Sequence, residues 1–269
     1  PPMASPVDTS VKFFHADFPG APTLNGQAGS LIGLLEACLV TGFGLRSATS
    51  LVVAGGVATV TLSSDAKNGN LLHSVILVEG VTGALTALNG EQRVTAASST
   101  TLSFATAAAD GTAAGTITVK SAPARWLKPH AGPNLAAFKS ASPEATGCLL
   151  RVDDTGTTSA RVVGYGSMED INAGTGPFPA PLQVSGGMYL PKSSTANATA
   201  TPWEFIADHR GFHYVPAHSF ASNSIYAGRT GWWFGDIAPR KSGDAYACAL
   251  LAGNSATDYM GVNYRNMNT

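Results

Sequence analysis

The stretch SLVVAGGVATVTLSS (Ser50–Ser64) decides how the chain is read. Leu51 and Val53 alternate with Val52 and Ala54, and Ala58 and Val60 with Thr59 and Thr61. Between them stands Gly55-Gly56. Two alternating β-branched runs joined by a two-glycine turn are a hairpin signature, because tight hairpin turns need positive φ at both central residues.

Similar runs follow at spacings of about ten residues: SVILVEGV (74–81), EQRVTAAS (91–98), TTLSFAT (100–106) and AGTITVK (114–120). LNG (88–90) and ADG (109–111) punctuate them. This spacing predicts a small all-β domain, immunoglobulin-like or barrel, over 49–122, with SAPA (121–124) as its exit linker. Beyond it, NLAAFKS, CLLRVDD, SARVVGYG, GGMYLPKS, WEFIADHR, GFHYVPA, TGWWFGDI and DAYACALLAG read as further strands. DDTGTTS (153–159) and NAGTGPFPAP (172–181) read as turn clusters, and the Ser/Thr/Asn/Ala tract 193–201 as an exposed loop. One segment has a different period. Leu31, Leu34, Leu35, Cys38, Leu39 and Phe43 recur at helical spacing and predict an amphipathic helix over about 28–41, with Asn25 as N-cap and Gly42 or Gly44 as its stop. Such a helix must lay its stripe on a sheet. The expectation is a mainly β protein: a β-sandwich-type domain from 1–48 and 123–269 with the helix packed on it, and 49–122 inserted.

Composition narrows the function classes. Charged residues make up 12% of the 269, about half the usual share of roughly 25%. The net charge is −1 and no basic run exceeds PRK at 239–241, which argues against nucleic acid or anionic lipid as partner. The longest apolar run, LIGLLEACLV (31–40), is broken by Gly33 and Glu36, so no membrane span is expected. The first residues carry no secretory pattern. Cys38, Cys148 and Cys248 are odd in number, lie in apolar segments and form no C-x-x-C; they read as buried thiols of a chain assembled in a reducing cytoplasm.

Catalytic signatures are missing. There is no G-x-S-x-G elbow and no Gly-rich phosphate loop. Asp208, His209 and His213 in ADHRGFHY are weak metal-ligand candidates; with Gly211 between them they read instead as a hairpin whose histidines are cross-strand neighbours. Asp153-Asp154 before Thr155-Gly156 resembles the start of a calcium loop but lacks its spacing and closing Glu, and suits a turn. The aromatic candidates for interface or ligand contacts are Trp203, Trp232, Trp233, Tyr189 and Tyr226. In GWWFGDIAPRKSGDAY (231–246) the alternation places Trp232 and Phe234 on one face and Trp233 on the other. Asp236 and Asp244 flank a turn carrying Arg240 and Lys241, and are expected to brace that hairpin by accepting hydrogen bonds. No cofactor, metal or enzymatic activity is expected.

Several segments together resemble one family: VKFFHADFPGAPTLNGQAGSLIGLLEACLVTGFG (11–44), LNGEQRVTAAS (88–98), GTITVKSAPARW (115–126), RVDDTGTTSARVVGY (151–165), GTGPFP (174–179) and WWFGDI (232–237). In this order they are similar to tailed-bacteriophage virion structural proteins. The resemblance implies a non-enzymatic component of the phage particle, tail tip or baseplate first, whose partners are other virion proteins and copies of itself. A capsid decoration or vertex protein, or an adhesin binding host-surface glycan through exposed aromatics and the loops at 193–201 and 220–229, are the alternatives.

Overall fold

The structure, a computed structural model, describes residues 5–217, 231–237, 246–253 and 261–266. The protein is mainly β, built of antiparallel sheets. Its contacts divide into two compact units, Pro1–Ala21 with Thr41–Ala124, and Pro22–Val40 with Arg125–Thr269.

The first unit holds β1 (Lys12–His15), β2 (Phe43–Ser47), β3 (Ser50–Ala54), β4 (Val57–Thr61), β5 (Val75–Glu79), β6 (Gly90–Ala97), β7 (Thr101–Ala105), β8 (Gly111–Thr112) and β9 (Thr118–Ser121). Strands β2 to β9 pair in the order β2-β9-β5-β6-β7-β4-β3-β8, every pairing antiparallel. Strands β3 and β4 form the hairpin read from sequence, with Ala54 opposite Val57 and Gly55 and Gly56 at φ 56° and 79°. Its inward residues Leu51, Val53, Ala58 and Val60 are buried, together with Leu102 and Phe104 of the neighbouring β7. Burial of each such aliphatic side chain contributes roughly 1.5–3 kcal/mol, offset by the entropy of ordering it.

This unit starts earlier than position 49. Phe43 pairs with Ser121 and Arg46 with Val119, so β2 extends the same sheet. The N-terminal segment is tied to it as well. Arg93 on β6 donates to the backbone oxygens of Asp8 and Val11, and Lys12 Nζ meets Glu91 at 2.9 Å with both side chains nearly buried. The sequence places 1–21 and 41–48 with the C-terminal part; the contacts group them with 49–124. Their pairings are long-range, and no local pattern carries them.

The second unit opens with α1 (Ser30–Glu36), which continues as a wider π-helical turn over Ala37–Thr41. Leu31, Leu34, Leu35, Cys38 and Leu39 are all buried. Gly42, at φ 71°, ends the run where a Cβ would lie 2.4 Å from the Ser121 carbonyl oxygen. Asn25 is not the N-cap. That position is Gly29, without a side-chain cap, while Asn25 turns its Oδ1 to the Gln27 amide.

Strands β10 (Trp126–Gly132), β11 (Leu135–Ser140), β12 (Leu149–Asp153), β13 (Ser159–Met168), β14 (Gly174–Phe178) and β15 (Met188–Pro191) form one antiparallel sheet. The long β13 pairs with β15 through Ser159–Val162 and with β14 from Gly164 to Met168. The segment read as a turn cluster at 172–181 therefore contains a strand. Its Gly and Pro content hides it; the register shows why it pairs, since Gly164 lies opposite Phe178 and leaves room for that ring. Strands β16 (Trp203–Ala207), β17 (Gly211–Pro216), β18 (Trp232–Asp236), β19 (Tyr246–Ala252) and β20 (Gly261–Asn266) form an antiparallel meander.

Aromatic rings from both sheets interlock. Trp126 of β10 packs edge-on to Phe212 of β17 and Phe234 of β18, with centroids 5.6 and 6.1 Å apart. Phe178 of β14 stacks on Phe234 at 6.4 Å. Edge-to-face and offset contacts at these distances add about 0.5–1.5 kcal/mol per pair beyond the area they bury.

Candidate functional site

Most of the described residues singled out by sequence fall in two places in the second unit. The first is the end of the meander where β16 turns into β17 and β18 leaves. The turn at 208–211 is closed by Asp208, whose Oδ1 accepts the amides of Arg210 (2.7 Å) and Gly211 (2.8 Å). Its carbonyl accepts the Trp126 indole N–H at 2.8 Å. Asp208 is thus committed to turn geometry, as short acidic side chains commonly are.

The two histidines are not cross-strand neighbours. His209 sits in the turn and accepts Ser140 Oγ on its carbonyl. His213 pairs with Ile206 on one side and Trp233 on the other. Its exposed ring lies 4.6 Å from the Trp233 indole, and partial burial against the strand lowers its pKa. Among the described residues no three His, Cys, Asp or Glu side chains come together in a way that would hold a metal ion.

Asp236 at the end of β18 accepts hydrogen bonds from partners that sequence spacing did not indicate. Its carboxylate accepts Thr146 Oγ1 at 2.6 Å and the Thr146 amide at 2.9 Å, and Arg210 Nε approaches at 3.8 Å. The Asp236 amide donates to the Arg210 carbonyl, and Arg210 reaches the Glu144 carbonyl. These bonds fasten the 141–148 loop of one sheet to the β17–β18 edge of the other. Asp244, Arg240 and Lys241 lie outside the described residues, as do Tyr226 and the loop 220–229.

The aromatic candidates divide by burial. Trp203 and Trp232 are 2% and 1% exposed and belong to the core. They are not contact surfaces, because each strand turns that face inward. Trp203 donates to the Pro22 carbonyl at 3.1 Å, whereas the Trp232 N–H has no partner among the described residues. Trp233, half-buried on the opposite face of β18, meets the His213 ring at a tilt of 53°. Tyr189 is covered by Arg161, whose guanidinium carbon lies 3.9 Å from the ring centroid while Nη1 donates to the phenol oxygen at 2.7 Å. A cation over the face of an aromatic ring is attracted by its quadrupole.

The second place pairs Asp154, which the sequence marked only as part of a turn, with Lys192, which it did not mark. Asp154, just past β12, and Lys192, just past β15, form an ion pair with both side chains fully buried. The other carboxylate oxygen, Oδ2, accepts the amides of Leu31 (2.8 Å) and Ile32 (3.1 Å), the first free donors of α1. Lys192 Nζ also donates to the Gln27 carbonyl at 2.6 Å. Burial raises the Asp154 pKa, while Lys192 and the two amides oppose that shift. The cap that Asn25 was expected to supply comes from this distant aspartate. Asp153 beside it makes the local turn, accepting the Thr155 hydroxyl at 2.7 Å, so the Asp-Asp-Thr-Gly stretch is a turn plus a helix anchor.

Among the described residues no helix is long and apolar enough to cross a membrane. No family model, curated protein or solved structure matches the chain.

Proposed function

We propose that this protein is a non-enzymatic structural component of a tailed-phage virion, associated with the tail tip or baseplate. In this reading it is assembled in the host cytoplasm and acts through contacts with other virion proteins and further copies of itself. One observation carries the reading. The segments that resemble phage virion proteins fall on framework elements: 11–44 on β1, α1 and β2, 88–98 on β6, 115–126 on β9, 151–165 on the β12–β13 hairpin, 174–179 on β14 and 232–237 on β18. A resemblance concentrated in the framework suits a building block. Asp154, Asp208 and Asp236 are each engaged in holding backbone or hydroxyl groups, which is structural chemistry.

The reading takes the second unit as a β-sandwich-type domain carrying α1 and the first as a smaller all-β domain. A low content of charged residues, 12% of the chain, suits a protein whose faces are covered by symmetric neighbours. The adhesin alternative loses two of its candidates, since Trp203 and Trp232 are buried. A cryo-EM map of the particle made by the genome encoding this chain tests the placement. Density for the chain at the distal tail supports it; density on the head moves the protein to a capsid decoration role.

A further inference from the structure

Asp154 and Lys192 meet in a site closed to solvent, with both side chains at 0% exposure. Their backbones are pinned. The Asp154 amide donates to the Asn134 carbonyl and the Asp154 carbonyl accepts the Gly29 amide, both at 2.9 Å, while the Lys192 amide donates to the Thr158 carbonyl at 2.9 Å. Lys192 Nζ is thereby held against Asp154 Oδ1. The hydrogen-bond inventory suits an amide better than an ion pair. An ammonium carries three donors, and the described residues give Lys192 Nζ two acceptors, Asp154 Oδ1 and the Gln27 carbonyl. An amide joining the two side chains would have one carbonyl oxygen, which can accept two N–H groups, and one N–H of its own. The Leu31 and Ile32 amides, now on Oδ2, and the Gln27 carbonyl match that count.

We propose that Asp154 and Lys192 are an intramolecular isopeptide site, at which the two side chains condense to an amide with loss of water and tie the end of β12 to the end of β15. The atoms balance without another reagent. One ammonium proton passes to Oδ1, which leaves a neutral amine beside a carboxylic acid. Burial, which raises the Asp154 pKa, favours that form. The Nζ lone pair then attacks Cγ, and the charge developing on Oδ2 is met by the Leu31 and Ile32 amides. A second Nζ proton moves to Oδ1, the Cγ–Oδ1 bond breaks, and Oδ1 leaves as water. One N–H remains on the new amide. One positive and one negative charge disappear together, which relieves the desolvation that each buried ion carries. Pinned backbones hold the reacting atoms together, so little orientational entropy opposes the step. This inference does not depend on the virion reading.

The test is mass spectrometry of the full chain, purified folded and held at neutral pH, first intact and then after trypsin digestion. The chain is expected to be lighter than its sequence by one water. Trypsin is expected not to cut after Lys192, and a branched peptide is expected whose fragments place the link between Asp154 and Lys192. Asp154→Ala and Lys192→Met are each expected to restore the full mass. Should either variant fail to fold, the wild-type peptides still decide. A wild-type chain of full mass, with Asp154 and Lys192 recovered on separate unmodified peptides, overturns the proposal. So does a water loss that persists in either variant or that fragmentation places at other residues.

Discussion

The indole of Trp233 lies over Gly211: a Cβ built on Gly211 would sit 2.2 Å from the Trp233 Cη2 atom. The two glycines Gly211 and Gly235 face each other across β17 and β18, and the ring covers the gap that their missing side chains leave. An aromatic ring laid over a cross-strand glycine fills what would otherwise be a weak point in the ladder.

Gly211→Ala is accordingly expected to lower stability by about 1–3 kcal/mol, the usual cost of forcing a group into filled space. Trp233→Ala in the same chain removes the clash, so the double variant is expected to be less destabilised than the sum of the two. Urea denaturation of the four proteins measures this coupling.

The Asp154–Lys192 pair anchors α1, and its loss leaves a charge buried alone. Asp154→Leu is expected to cost about 3–5 kcal/mol, because buried Lys192 loses its counter-ion and the Leu31 and Ile32 amides lose their acceptor. Replacing both residues, Asp154→Leu with Lys192→Met, is expected to recover part of that loss. Chemical denaturation followed by far-ultraviolet circular dichroism separates the two outcomes.

Asp236 and Thr146 form the contact between the 141–148 loop and β18. Thr146→Val removes the hydroxyl donor and is expected to cost about 1–3 kcal/mol, since it leaves a nearly buried carboxylate short of a hydrogen bond. In Asp236→Ala the additional effect of Thr146→Val is expected to shrink. A double-mutant cycle reads the difference.

His213 supplies a pH dependence. Its folded pKa lies below the free value of 6.5 because burial disfavours the imidazolium. A lowered folded pKa means the unfolded chain binds the proton more readily. The contribution is complete above 6.5 and is lost as pH falls through the folded pKa. His213→Gln is expected to flatten the fall in thermal midpoint on acidification. Tryptophan fluorescence during a pH titration is expected to report the same step, as the imidazole beside Trp233 becomes charged.

Local periodicity made much of the secondary structure legible. The β3–β4 hairpin follows from Gly55-Gly56 and its alternating flanks, and the stripe from Leu31 to Leu39 marks the helical run. The burial of Trp232 and Phe234 against half-buried Trp233 follows from alternation alone. Strand β14 escaped notice because Gly174-Thr175-Gly176-Pro177 has turn composition and is held as a strand by β13. The capping of α1 by Asp154 joins residues more than a hundred positions apart, and no local spacing encodes it. Aromatic count pointed to contact surfaces, but which face of each strand turns inward placed Trp203 in the core.

The central claim is that this chain is a built-in part of a virion. Its most direct test is quantitative mass spectrometry of gradient-purified particles from the phage whose genome encodes it. The account predicts the chain at a fixed copy number relative to the tail proteins, retained through repeated banding. A chain absent from banded particles and recovered in the soluble fraction of the lysate would contradict it.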